Sequence, residues 1–182
     1  MNLLKRDWRS EHNFCSIYKF LNTLNLYRVG KNHPLSDLES PPNSLTVHNY
    51  RIRSFSTDPE VVTHFLKDRV GIAEEDECTV IYSLEINAPD KIFHCPEWLM
   101  PLKDSMYKEE EWIITPGKIF EIKSIDPGFP EKIKNDCEKW ALGYKTNFLR
   151  TIPKIFTINI GIQDKNKTKS VQMGSKFVSN LD

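Results

Sequence analysis

Three consecutive glutamates, Glu109, Glu110 and Glu111, run directly into the apolar segment Trp112-Ile113-Ile114. If that segment is a strand, side-chain alternation puts Glu109 and Glu111 on one side and turns Glu110 away. The ordinary reading of such a triplet is a solvated surface run. Two carboxylates held on one side can instead accept protons or stabilise positive charge. Upstream, Arg28 closes the apolar run from Leu24, and Ser56-Thr57 precede Asp58-Pro59-Glu60. Taken singly, Arg28 is an ordinary surface arginine and the serine–threonine pair is a helix cap. Thr57 with Glu60 has the spacing of a capping box, and Pro59 suits the first helical turn, where its missing N–H costs nothing.

Other chemistry-bearing residues fall away. His94 and Cys95 are neighbours that a strand would send to opposite faces, so they make neither a dyad nor a shared metal site. His12, His33, His48 and His64 lie apart. Cys15, Cys78, Cys95 and Cys137 show no C-x-x-C pair and no metal-ligand spacing. They read as free thiols in a reducing compartment, and no metal is expected. There is no glycine-rich loop to cradle phosphates.

The elements that must position these residues follow from periodicity. Residues 10–24 predict an amphipathic helix capped by Ser10, with Phe14, Ile17, Tyr18, Leu21 and Leu24 on one face. A short strand runs from Leu24 to Val29, and residues 30–50, rich in Pro, Ser, Asn and Asp, read as a loop. Arg51 to Phe55 reads as a strand leading into a helix over about 58–69 that buries Val61, Val62, Phe65 and Leu66. Acidic residues 74–77 make a turn, and Thr79 to Ile86 alternates as a strand with one well-buried face. A short strand is expected near Ile92-Phe93. Glu111 to Ile114, the pair Pro116-Gly117 and Ile119 to Ile125 together predict a hairpin. Residues 130–148 form a helix with Ile133, Cys137, Trp140, Ala141 and Tyr144 on one side. Ile155 to Ile162 is a last strand, and the tail over 163–182 is polar and expected to be mobile. Strands cluster without regular strand–helix alternation, which predicts an α+β architecture.

At 182 residues, with 39% hydrophobic and 11% aromatic residues, the chain suits one domain with a buried core. Lys plus Arg equals Asp plus Glu, 25 against 25. A nucleic-acid binder would show a basic excess, so no nucleic-acid partner is expected. The N-terminal charges come too early for a signal peptide, and no stretch is long and apolar enough to span a bilayer.

Three segments in order resemble the signature of the arginine-directed mono-ADP-ribosyltransferase family, the R-S-ExE type found in toxins and effectors. They are Leu26-Tyr27-Arg28-Val29-Gly30, Ser54 to Val62, and Tyr107 to Gly117, in which Glu109-Glu110-Glu111 supplies E-x-E. The resemblance covers about residues 24–125, with the strand near 155–161 a weaker fit. It departs at Val29, where glycine often follows the arginine, and at Asp58, where S-T-S would have serine. The helix over 130–148 looks like an insertion.

The resemblance implies a split mixed β-sandwich with an N-terminal helix, residues 1–162 forming one catalytic domain. It implies NAD as substrate, no metal, and transfer of ADP-ribose to an arginine of a target protein with release of nicotinamide. The glycosidic bond breaks through an oxocarbenium-like state, which a carboxylate bonded to the ribose 2′-hydroxyl stabilises. That residue would be Glu111. Glu109 would face the acceptor guanidinium, which is protonated at neutral pH and must lose a proton as it attacks. Arg28 would clamp the pyrophosphate through its planar fork of donors, and the main chain of Val29 would pair with the nicotinamide carboxamide. Ser56, or Ser54 in another register, would hold the Glu111 rotamer, with Thr57 beside it in the same motif. A soluble chain acting in the cytosol, including that of a host cell into which it is delivered, fits this reading. The alternatives are NAD hydrolysis, another acceptor, or a catalytically silent relative that binds a partner.

Overall fold

The computed structural model describes residues 23–39, 46–49, 53–86, 92–95, 111–114, 118–148 and 151–162. Nine strands are present among them: β1 Leu24–Val29, β2 His33–Pro34, β3 Thr46–Asn49, β4 Arg53–Ser56, β5 Glu77–Ile86, β6 Ile92–Cys95, β7 Glu111–Ile114, β8 Lys118–Pro127 and β9 Lys154–Ile162. Three helices accompany them: α1 Leu35–Glu39, α2 Pro59–Val70 and α3 Lys134–Phe148, the last preceded by a 3-10 turn over Glu131–Ile133. The N-terminal helix expected over 10–24 lies outside the described residues as far as residue 22, and Leu24 already belongs to β1. The tail over 163–182 lies outside them as well.

The strands pair in the order β3-β8-β9-β5-β1-β4-β7-β6, with β2 paired to the end of β5. Only β5 and β9 run parallel among the described pairs, so the sheet is mixed and the α+β expectation holds. β5 was expected to bury one face. It buries both, because Val80, Tyr82, Leu84 and Ile86 enter one core while Ile81 enters another on the opposite side.

The sheet is split between β1 and β4. These two share a single register pair, Tyr27 with Ser56, before they part. Beyond that point the β4-β7-β6 half folds back over the larger half. Phe55 on β4 and Phe120 on β8 are separated by four strand spacings, about 19 Å in a flat sheet, yet their ring centroids lie 6.5 Å apart. Phe55, Trp112 and Ile114 from one half pack with Leu26, Val80, Phe120 and Ile158 from the other, forming a sandwich core.

This geometry overturns the expected hairpin. β7 pairs with β4 and β6, whereas β8 pairs with β3 and β9, so the two strands never meet. Short spacing and a Pro-Gly pair suggested a turn in the plane of one sheet. The apolar residues on either side instead belong to facing layers, and burying Trp112 and Ile114 against Phe120 outweighs local pairing.

The outer face of the larger half-sheet carries α2, the 3-10 turn and α3, which bury Val62, Leu66, Ile133 and Cys137 against Tyr27, Ile81 and Ile155. α2 starts as the composition suggests, with a different capping residue. The Asp58 side chain, not Thr57, accepts the Glu60 N–H at 2.8 Å, and Pro59 occupies the first turn. Aspartate one residue before proline reaches that donor directly, which makes the Thr57–Glu60 box unnecessary. The helix expected over 130–148 forms as the 3-10 turn and α3, with Trp140, Tyr144 and Phe148 stacked in sequence along it.

Between β8 and the 3-10 turn the chain reverses at Gly128, whose φ of 99° is open to glycine and strained for other residues. Its N–H donates to the Ile155 carbonyl at 2.7 Å and its own carbonyl accepts from Thr157, so the turn is pinned to β9. A Cβ there would meet nothing within 4 Å, which leaves backbone strain as the whole cost of substitution. Gly128→Ala should therefore lose about 1–3 kcal/mol in urea unfolding; an unchanged midpoint would refute the strain assignment. His33 is buried against β5, and that burial, with Lys31 adding to it, depresses the imidazole's proton affinity, while Asp37 and Glu77 oppose the shift. The folded chain then binds this proton less readily than the unfolded one. Its contribution is present above about pH 6.5 and is lost as pH falls below that value. Melting temperature should drop across this range in the wild type and fall less steeply in His33→Gln.

Candidate active site

β1 delivers Arg28 to the point where β4 turns away. The ladder cannot continue there, and the Arg28 Nη1 donates to the Ser54 carbonyl at 3.0 Å, supplying a bond across the gap. The guanidinium is half-buried, and its Nε finds no partner among the described residues. Burial first, then Arg53 and Arg69, push its pKa below the ordinary arginine value; Tyr82 and Glu111 pull the other way. It remains a cation at any neutral pH. Arg53 and Arg69 each repel Arg28, and an anion placed beside Arg28 would relieve that repulsion. Beneath Arg28, Tyr82 is its direct cross-strand neighbour, and burial holds its phenol protonated. Gly30 makes this packing possible, because a Cβ there would stand 2.6 Å from the Tyr82 ring.

β4 and β7 bring in the other groups. Ser56 lies directly across from Glu111, so their side chains share one side of the sheet, with β carbons about 5 Å apart by ordinary strand geometry. Ser54 instead faces Ile113, which favours Ser56 over Ser54 as the neighbour of Glu111. The Ser56 Oγ accepts the Asp58 N–H at 3.0 Å, which fixes the serine rotamer at the start of α2 and leaves its hydroxyl proton to donate elsewhere. Glu111 itself is half-buried.

A cavity of about 120 Å³ is lined by Arg28, Val29, Ser54, Ser56 and Glu111, and walled by Val61, Phe65 and Arg69 of α2. Arg28, Val29, Ser56 and Glu111 thus line one cleft. Thr57, half-buried in the turn, is not among the lining residues, and Glu109 lies outside the described residues. Val29 contributes its main chain. Gly30 donates to the Val80 carbonyl at 2.9 Å on the β5 side. By antiparallel alternation the Val29 N–H and C=O point the other way, toward the edge that β4 has vacated.

Sequence reading missed Arg69 and Arg53. Arg69 was legible in principle. Val61, Phe65 and Arg69 fall at successive spacings of four residues, beside the buried row Val62, Leu66 and Val70, so they form an adjoining stripe on the same side of α2. Phe65 was expected in the core, but it stands 45% exposed at the cleft mouth. Arg53 is buried on β4, and nothing in its spacing distinguishes it from an exposed strand residue.

A larger hollow of about 780 Å³ lies between β8, β9 and α3, rimmed by Asn25, Glu85, Asp126 and Lys132. It shares only Tyr27 with the cleft and contains none of Arg28, Val29, Ser56 and Glu111. Among the described residues no cluster of His, Cys, Asp and Glu could hold a metal, and no helix is long and apolar enough to cross a membrane.

No family model and no curated protein matches the chain. Several solved structures are similar to it. The ADP-ribosyltransferase Vis in complex with agmatine aligns at 18% identity and a TM-score of 0.47, covering 81% of this chain and 53% of that one. The Vis toxin, an ADP-ribosyltransferase from Vibrio splendidus, aligns at 14% identity and a TM-score of 0.43, covering 92% and 65%. The Salmonella SpvB ATR domain aligns at 11% identity and a TM-score of 0.42, covering 90% and 77%. The chain spans about half the length of the Vis chains in its inhibitor and agmatine complexes, 52% and 53%. These are likenesses of overall architecture alone, at TM-scores below 0.5.

Proposed function

We propose that the cleft binds NAD and that the chain is a mono-ADP-ribosyltransferase acting on an arginine of a target protein. The observation that carries this reading is the meeting of Arg28, Ser56 and Glu111, far apart in sequence, at the single place where the sheet splits. A cavity of about 120 Å³ is well below the roughly 300 Å³ at which ligand pockets usually begin. It would enclose one end of a dinucleotide, leaving the remainder along the open surface.

The residues fit that ligand by charge and by hydrogen bonding. Arg28 and Arg69 present cations to a diphosphate, and Arg28 supplies a planar donor fork. The Val29 main chain offers a donor and an acceptor to a carboxamide. Phe65, half-exposed at the mouth, offers a ring face. Opposite the cations, Glu111 would accept a hydrogen bond from the ribose 2′-hydroxyl and place negative charge near the anomeric carbon. As the bond to nicotinamide breaks, its electron pair leaves with the nicotinamide nitrogen and the sugar becomes cationic. Stabilising that charge is the role assigned to Glu111. Ser56 would steady the carboxylate with its remaining hydroxyl proton. Glu109 would take the proton that the acceptor guanidinium releases on attack.

The reaction would take place wherever the target resides, which for a delivered effector is the cytosol of the recipient cell. Residues 1–162 would form the catalytic unit.

Incubating the chain with labelled NAD and a cell lysate tests the assignment. Wild type should label a protein and Glu111→Gln should not; Glu111→Ala should forfeit on the order of 3–5 kcal/mol of transition-state stabilisation. Equal labelling by wild type and Glu111→Gln would reject the catalytic role. Glu109→Gln should lose transfer to arginine while still releasing nicotinamide from NAD. If nicotinamide release disappears together with transfer, Glu109 does not act on the acceptor alone.

A further inference from the structure

Asn32 lies just beyond β1, outside the cleft, and its side chain joins three elements. Its Nδ2 donates to the Arg69 carbonyl at 3.1 Å, and its Oδ1 accepts from the Thr79 hydroxyl at 3.1 Å. The amide orientation is fixed by chemistry, because the Arg69 carbonyl can only accept and must therefore face the NH₂ group. Thr79 is fully buried in β5 next to Val80, which receives the Gly30 N–H. One side chain therefore ties the last turn of α2 to the rigid centre of the sheet and to the segment leaving Arg28.

At this end α2 is also held by Lys67, whose Nζ lies 5.8 Å from the centroid of the Phe148 ring on α3. The Arg69 carbonyl also accepts the Ile72 N–H, but that is a local bond within the helix terminus. Val70 anchors the helix on its buried side, whereas Ile72 just beyond is 66% exposed. The Asn32 bond crosses 37 positions of sequence and is the described side-chain hydrogen bond that holds the α2 C-terminus against the β1 exit. Arg69 lines the cleft from that same turn.

We propose that Asn32 is a positioning residue that sets the spacing between the Arg28 and Arg69 guanidinium groups, and through it the affinity of the cleft for the diphosphate of a dinucleotide. This rests on the nucleotide reading of the site. Without the bond, α2 can swing its last turn outward and Arg69 moves with it. The loss falls on binding of the anion, which both ground and transition states share, so KM for NAD rises while kcat is retained.

The test is calorimetric titration of the full chain with NAD, joined to steady-state nicotinamide release. Asn32→Ala should weaken NAD binding about ten-fold and raise KM similarly, with kcat within about two-fold of wild type. Asn32→Asp keeps an acceptor for Thr79 but has no donor for the Arg69 carbonyl, so it should weaken binding in the same way. In an Arg69→Ala background, where no guanidinium remains to be placed, Asn32→Ala should add less than about two-fold, because coupled residues are non-additive. Unchanged affinity in both Asn32 variants overturns the inference, as does an equal loss in the wild-type and Arg69→Ala backgrounds, which is the signature of general loosening. A wild-type chain that takes up no NAD overturns the nucleotide reading and this inference together. Wild-type binding with unaffected Asn32 variants overturns the inference alone.

Discussion

Arg28 stands where β1 and β4 part, and its bond to the Ser54 carbonyl replaces the ladder that the two strands cannot continue. Backbone groups at a break in a sheet must find partners or water, and a buried gap without either is costly. Filling the gap with a guanidinium satisfies a carbonyl and also leaves a cation with spare donors at the base of a cleft. One residue both bridges the gap and lines the cleft.

The remaining geometry follows from that divergence. Once β4 leaves β1, the smaller half-sheet folds over the larger one and buries Phe55 and Trp112 against Phe120. That closure carries β7 with it and places Glu111 beside Ser56 at the open end of the split. α2 begins as soon as β4 ends. Ser56 and Asp58 satisfy its first N–H groups, and the helix lies along the cleft with Phe65 and Arg69 facing in. Arg28, Arg69 and the Glu111 carboxylate thus line one cleft beside the point where β1 and β4 part.

Much of this was legible from residue order. The alternation of Thr79 to Ile86, the apolar run of Ile155 to Ile162 and the helical spacing through 130–148 each reflect burial of one side of an element, which sequence records directly. The three motif segments likewise mark Arg28, Ser56 and Glu111, and all three reach the cleft. Other features were hidden. The Thr57–Glu60 spacing pointed to one cap, but Asp58 accepts the Glu60 N–H instead. The hairpin expected around Pro116-Gly117 failed because local turn chemistry does not record which layer each flanking strand will join. Arg69 belonged to a helical stripe whose neighbours were apolar, and only contact with the cleft distinguishes it from a solvent-facing arginine.

By itself the sequence determined the longer elements and the chemical identity of the groups available to react, since both follow from local spacing and side-chain type. Within residues 30–50, read as a loop, it did not record β2, α1 or β3, which are too short to show a period. Tertiary structure alone decided which strands face one another, where the sheet divides, and that Arg53 and Arg69 join Arg28 in one electrostatic environment. Those outcomes depend on long-range burial and on a ladder that breaks after a single pair. Neither leaves a periodic trace in the chain.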